Sequence, residues 1–227
     1  MQDHRYSMLR TPMFKLVLIG ESGVGKTSLF MRIKEDIFSA DVTVGIDSCS
    51  TSVEVDEARV KFALWDTAGV ERFRTLTRNY YRNTHCVLLT CSSDDKTSLD
   101  SLHRWNQDVD FYCKDCLKVI VANKNDLNPA ITQEQLQNFA ATFNCKLISS
   151  VSAKTGDGVS DMLREVARKL LKYYSLVGRS GATGVSLANS SMQMRNGSSA
   201  VDLRRRRRHG SDSDSGCGSQ RRCCSVL

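Results

Sequence analysis

The stretch Gly20-Glu21-Ser22-Gly23-Val24-Gly25-Lys26-Thr27 sets three glycines, a lysine and a hydroxyl at the spacing G-x-x-x-x-G-K-[ST]. Glycines let the backbone wrap until successive N–H groups point inward, which makes a nest for phosphate oxygens. An apolar run precedes the stretch and an amphipathic one follows it, so the nest also opens a helix whose N-terminus carries partial positive charge. Lys26 is placed to reach β- and γ-phosphates, and the Thr27 hydroxyl to hold Mg²⁺, with Ser28 beside it.

A second stretch, Asn123-Lys124-Asn125-Asp126, follows the apolar run Val119 to Ala122. A carboxylate such as Asp126 accepts hydrogen bonds from both the N1–H and the 2-amino group of guanine. Adenine offers neither in that arrangement and would leave the acid unpaired. Asn123 can tie this loop to the phosphate loop, and the stem of Lys124 can lie along the base plane. Ser152-Ala153-Lys154 adds a third loop, whose backbone N–H groups can meet guanine O6.

Alternating elements are required to bring these loops together. Phe14 to Ile19, Val53 to Val55, Val60 to Trp65, Cys86 to Cys91, Val119 to Ala122 and Lys146 to Ser150 read as strands. Lys26 to Lys34, Ser98 to Phe111, Thr132 to Phe143 and Val159 to Tyr174 read as helices. In the last of these Val159, Met162, Leu163, Val166, Leu170 and Tyr173 share one face. Strand and helix in alternation predict an α/β fold with a doubly wound, mostly parallel six-stranded sheet. Such sheets bind ligands at the carboxyl ends of their strands, where all three loops fall.

Composition limits the alternatives. The chain has 227 residues, with 32 Lys+Arg against 25 Asp+Glu and a formal charge of +7. Residues 1–174 hold 23 basic and 22 acidic side chains, whereas residues 175–227 hold 9 and 3. The surplus therefore belongs to the tail, and the folded part does not require a nucleic-acid-binding face. No apolar run approaches the ~20 residues that span a bilayer, and the N-terminus lacks a signal peptide's apolar stretch. The nine cysteines are expected as free thiols or modification sites of a cytosolic chain. Cys113-Lys114-Asp115-Cys116 is a C-x-x-C without a second pair, so zinc is not expected there. The expected organisation is an extension over 1–12, a nucleotide-binding domain over 13–174 and a disordered tail over 175–227.

Together these motifs resemble the Ras superfamily of small GTPases, and within it most closely a Rab protein. Val44-Gly45-Ile46-Asp47, Lys61-Phe62-Ala63-Leu64-Trp65, Arg72-Phe73-Arg74-Thr75-Leu76-Thr77 and Tyr80-Tyr81-Arg82 carry the Rab likeness. The resemblance implies a phosphate-loop NTPase fold binding GTP or GDP with Mg²⁺. It implies Thr43 as the switch threonine on Mg²⁺ and γ-phosphate, Asp66 and Gly69 at the Mg²⁺ shell and γ-phosphate, and Phe38 against the base. The metal set is then Thr27, Thr43 and Asp66, and the hydrolytic set Lys26, Thr43, Gly69 and position 70. It further implies a monomer that meets effectors, an exchange factor, an activating protein, a prenyl transferase with its escort protein and a dissociation inhibitor.

Cys224-Ser225-Val226-Leu227 fits C-a-a-X with the terminal Leu of geranylgeranyl acceptors, and Cys223 completes a paired-cysteine ending. Two lipid chains anchor stably where one does not. The run Arg204 to Arg208 adds attraction to an anionic leaflet. The expected location is the cytoplasmic face of an intracellular or plasma membrane, with a cytosolic pool.

Departures from the family pattern carry expectations of their own. The segment Phe38 to Thr43 is short, Ser48 replaces an aromatic, and Leu88 to Ser93 differs from the usual Rab strand ending. Val70 stands where the family usually has the glutamine that orients the attacking water. A branched alkyl group cannot hydrogen-bond that water, so intrinsic hydrolysis is expected to be slow. The same valine supports a second reading, a GTP-loaded scaffold at membranes that hardly turns over. Single-turnover GTP hydrolysis is expected to be about 10–100-fold faster in Val70→Gln than in the wild type. Equal rates would dismiss the role given to this position.

Overall fold

The computed structural model describes residues 11–38, 47–56, 58–67 and 80–180. Among the described residues four helices and six strands follow in the order β1 (Met13–Ile19), α1 (Lys26–Glu35), β2 (Asp47–Val55), β3 (Ala58–Asp66), β4 (Cys86–Ser92), α2 (Lys96–Tyr112), β5 (Leu117–Asn123), α3 (Gln133–Thr142), β6 (Leu147–Ser150) and α4 (Val159–Ser180). The strands form one sheet in the order β2-β3-β1-β4-β5-β6. Only β2 runs antiparallel to its neighbour, and the other pairings are parallel. The β2–β3 hairpin closes where Val55 pairs with Ala58, next to Asp56 in a left-handed conformation at φ 47°.

Residue parity along the central strands separates two cores. Phe14, Leu16 and Leu18 of β1, Cys86 and Leu88 of β4, and Leu117, Val119 and Val121 of β5 face one side of the sheet. There they pack against Leu29 and Phe30 of α1 and against Met162, Leu163, Val166 and Leu170 of α4. Val17, Ile19, Val87, Leu89, Cys91, Ile120 and Ala122 face the other side, under Leu99, Leu102 and Val109 of α2 and Leu136 and Phe139 of α3. All seven residues of β4 are buried, as befits a central parallel strand covered on both faces.

The helix boundaries follow local chemistry. Asp95 caps α2 by accepting from the Thr97 N–H, which starts the helix two residues earlier than apolar periodicity suggests. Thr132 and Gln135 form a reciprocal capping box on α3, so Thr132 is a cap and not a helical residue. The N-cap of α1 is Gly25, which makes no side-chain capping bond. A glycine there has no side chain to cap the first turn.

Two further boundaries differ from the sequence reading. β2 begins at Asp47, well before Val53, because Ser48-Cys49-Ser50-Thr51-Ser52 lies on an edge strand where only Val55 is fully buried. A strand with one neighbour needs no apolar alternation to keep its ladder, so periodicity misses it. α4 continues through Ser180, past Tyr174. An established helix gains one hydrogen bond per added residue, so its backbone can continue past the last periodic apolar position.

The central position of Leu88 gives a stability test. Leu88 is fully buried between β1 and β5, and Leu88→Ala is expected to cost about 3 kcal/mol in urea denaturation. Phe111→Ala, at a side chain 69% exposed, is expected to change stability by no more than about 0.5 kcal/mol.

Candidate nucleotide site

Four strands deliver the site residues at their carboxyl ends: β1 leads into Gly20–Thr27, β3 ends on Asp66, β5 ends on Asn123, and β6 leads to Ser152. Two glycines of the first loop are sterically required. A Cβ on Gly20 would lie 2.1 Å from the Thr90 carbonyl oxygen, and one on Gly25 would lie 2.4 Å from the Asn123 Nδ2. Gly25 also sits at φ +90°, where other residues are strained.

Asn123, 1% exposed, joins three segments. Its Nδ2 donates to the Val24 carbonyl at 2.9 Å and to the Gly25 carbonyl at 3.3 Å, while its Oδ1 accepts from the Ala153 N–H at 3.0 Å. The tie expected between Asn123 and the phosphate loop is present, and it extends to the Ser152–Lys154 loop.

Lys26 is 4% exposed, and its ammonium donates to the Gly20 carbonyl at 2.9 Å and to the Glu21 carbonyl at 2.7 Å. The loop thus wraps its own lysine, holding positive charge beside the uncapped start of α1. Ser22 and Gly23 are exposed at the loop's crest, whereas Val24 is buried beneath it. The Thr27 hydroxyl donates to Asp66 Oδ2 at 2.6 Å. Asp66 is completely buried at the end of β3, and Ser28 occupies the first turn of α1. A hydroxyl and a carboxylate side by side are hard oxygen donors, the set that suits Mg²⁺, so these residues fit that ion.

At the third loop the Ser152 hydroxyl donates to Asp126 Oδ1 at 2.6 Å, and Lys154 Nζ lies 3.9 Å from Asp126 Oδ2. The Ser152 bond, opposed by partial burial and assisted by Lys154 and Lys124, holds the Asp126 carboxyl below its ordinary value. Asp126 is therefore ionised and acts as an acceptor at neutral pH. Lys124 takes a left-handed conformation at φ 63°, and the neighbouring Asn125 N–H is fixed on the Val151 carbonyl at 3.0 Å. Phe38, just beyond α1, is 46% exposed. Thr43, Gly69, Val70, Cys223 and Cys224 lie outside the described residues.

One residue, Arg32, and one set of contacts, those of the Glu21 side chain, lie beyond the sequence reading. Arg32 of α1 donates through Nε to the Ala153 carbonyl at 2.9 Å and through Nη2 to the Lys154 carbonyl at 2.8 Å. Its Nη1 holds the α1 cap residue, bonding the Asp36 carbonyl at 2.8 Å and Oδ1 at 2.9 Å. Glu21 Oε1 accepts from Arg104 Nη2 at 3.0 Å and Trp105 Nε1 at 3.2 Å, fastening the phosphate loop to α2. Both contacts bridge residues more than 80 positions apart, and neither belongs to a local motif.

A glycine-wrapped lysine, an uncapped helix start and a carboxylate-bearing loop at the carboxyl ends of parallel strands define a phosphate-loop nucleotide-binding domain. Residues 15–172 match the Ras family. Ras-related protein Rab-18 of Caenorhabditis elegans is 41% identical over 177 residues, covering 76% of this chain and 86% of that protein. Rab-18-B of Danio rerio is 38% identical over 163 residues, with 70% and 79% covered. Rab-8A of Gallus gallus is 37% identical over 163 residues, with 70% and 78% covered. The chain belongs to the Ras family and is a Rab-like small GTPase.

The Arg32 contacts generate a prediction. Arg32→Ala removes the bonds that hold both carbonyls of the Ala153–Lys154 segment, and release of fluorescent GDP is expected to accelerate about tenfold. Arg32→Lys is not expected to restore the slow rate, since an ammonium cannot reproduce the guanidinium fork. Slow release in both variants would remove Arg32 from the site.

Proposed function

We propose that this chain binds GTP and GDP with Mg²⁺ and cycles between them as a membrane-anchored switch in vesicle traffic. The observation that carries the reading is Asp126, ionised and oriented by Ser152 on the loop that Asn123 binds to the phosphate nest. A fixed anionic acceptor there selects a base that presents two adjacent donors, and guanine does so.

The residues divide the work. The loop N–H groups from Glu21 to Ser28, with the Lys26 ammonium, bind the phosphates and stabilise negative charge as the terminal phosphoryl leaves. Thr27, Thr43 and Asp66 hold Mg²⁺, which when bound neutralises phosphate charge. Asn123, Lys124, Asp126, Ser152, Ala153 and Lys154 position the base, with Phe38 beside it. Gly69 senses the terminal phosphate, and the γ-phosphate contacts of Thr43 and Gly69 order the segments that effectors read. Val70 leaves the attacking water without a side-chain partner, so turnover is slow and depends on an activating protein.

Cys223 and Cys224 are the lipid acceptors in this reading, and the run Arg204 to Arg208 adds attraction to the cytoplasmic leaflet. Among the described residues no helix is long and apolar enough to cross a membrane. Val70 equally supports the GTP-loaded scaffold, which differs only in retaining GTP on protein isolated from its own cells.

Asp126→Asn tests the reading. A carboxamide offers a donor where the acid offers an acceptor, so it suits the 2-oxo group of xanthine. GTP affinity is expected to fall at least about 100-fold and xanthosine triphosphate affinity to rise above it. Undiminished GTP binding would overturn the assignment of the base site.

A further inference from the structure

The C-x-x-C motif lies away from the nucleotide loops, where α2 ends and β5 begins. Cys113 is the C-cap of α2, its N–H bonded to the Val109 carbonyl at 2.7 Å. The Cys116 N–H then returns to the Cys113 carbonyl at 3.2 Å, closing a tight turn over the four residues. Such a turn brings its first and last Cα atoms within about 7 Å, and disulfides commonly span about 4.4–6.8 Å. The backbone is thus already folded for a bond between them.

We propose that Cys113 and Cys116 are a redox site that closes reversibly to an intramolecular disulfide at the expense of a small disulfide such as oxidised glutathione. The Cys113 thiolate attacks one sulfur of the small disulfide, whose S–S bond breaks and releases a glutathione thiolate. Cys116 then attacks the Cys113 sulfur of the mixed disulfide, giving up its proton as a second glutathione thiolate departs. Two protein thiols are oxidised and one glutathione disulfide is reduced to two thiols.

The surroundings assign the roles. The Cys116 thiol, with help from Lys15 and against burial and Asp115, brings the Cys113 thiol below its ordinary value. The same pairing and burial raise Cys116, making it the resolving partner. Burial pushes Cys49 and Cys145 up to about 11 and Cys91 up to about 12, and also raises Cys86. Those thiols stay protonated and slow. Cys113 and Cys116 are only partly buried, so a small disulfide has access to them.

Closure also has a structural consequence. The reduced Cys113 thiol donates to the Thr84 carbonyl at 3.4 Å, and Thr84 belongs to the turn that begins at Tyr81. The Tyr81 ring stacks on Tyr112 with centroids 5.6 Å apart. A disulfide removes that donor from the segment joining Tyr80–Tyr81 to β4.

The test uses the full chain equilibrated with excess oxidised glutathione, alkylated and cleaved with trypsin. The expected product is a disulfide joining the peptide 105–114 to the peptide 115–118, lost again on treatment with dithiothreitol. Cys116→Ser is expected to accumulate glutathione on Cys113 as a stable mixed disulfide, because no second thiol remains to displace it. Peptide mapping keeps Cys217, Cys223 and Cys224 of the tail separate from this pair. Absence of the cross-linked peptides from the wild-type chain would overturn the proposal. So would failure of Cys116→Ser to retain glutathione on Cys113.

Discussion

One buried carboxamide holds the nucleotide site together. Asn123 uses both ends of its side chain, donating to the carbonyls of Val24 and Gly25 and accepting from the N–H of Ala153. At 1% exposure no water can replace it, and each partner left unpaired costs about 1–3 kcal/mol. The Gly20–Thr27 loop and the Ser152–Lys154 loop therefore cannot move independently. Gly25 follows from the same contact, because any Cβ there would displace the amide.

The sheet makes that contact available. β1 and β5 are separated by β4, and all three run parallel, so Gly20 and Asn123 emerge at the same edge. The absence of any exposed residue in β4 matters here, since a strand packed on both faces offers a rigid spacer between the two loops. Gly20 sits directly on this spacer, so close to the Thr90 carbonyl that no side chain fits between them. Glu21 then braces the far side of the loop on Arg104 and Trp105. Geometry at the site is thus inherited from core packing well away from it.

Much of this was legible in the sequence where chemistry is encoded locally. The phosphate loop, Asn123–Asp126 and Ser152–Lys154 are contiguous runs whose residue types admit few other uses. The two-sided burial of β4 and β5 was equally readable from their unbroken apolar runs. What escaped reading is non-local or one-sided. Arg32 lies on a helix whose other residues pack normally, and its partners are some 120 positions away. β2 presents Ser, Cys and Thr because an edge strand needs ladder bonds more than burial. Asn123 was readable as a tie to the phosphate loop, yet its second bond to Ala153 depends on where β6 ends.

The charge arrangement presents a further constraint. Lys26 and the uncapped start of α1 make this end of the sheet attractive to phosphate, yet Asp66 is buried there and bonded to Thr27 of the same helix. A carboxylate so close to an anion-binding loop repels an incoming phosphate, and burial strengthens that repulsion by lowering the local dielectric. A divalent cation arriving with the phosphates would take the charge of both, which is the role the proposed Mg²⁺ site gives this pair. Thr27 is then set by geometry as well as by chemistry. It is the residue next to the lysine, and its hydroxyl is short enough to reach the end of β3 while α1 continues undistorted beneath the loop.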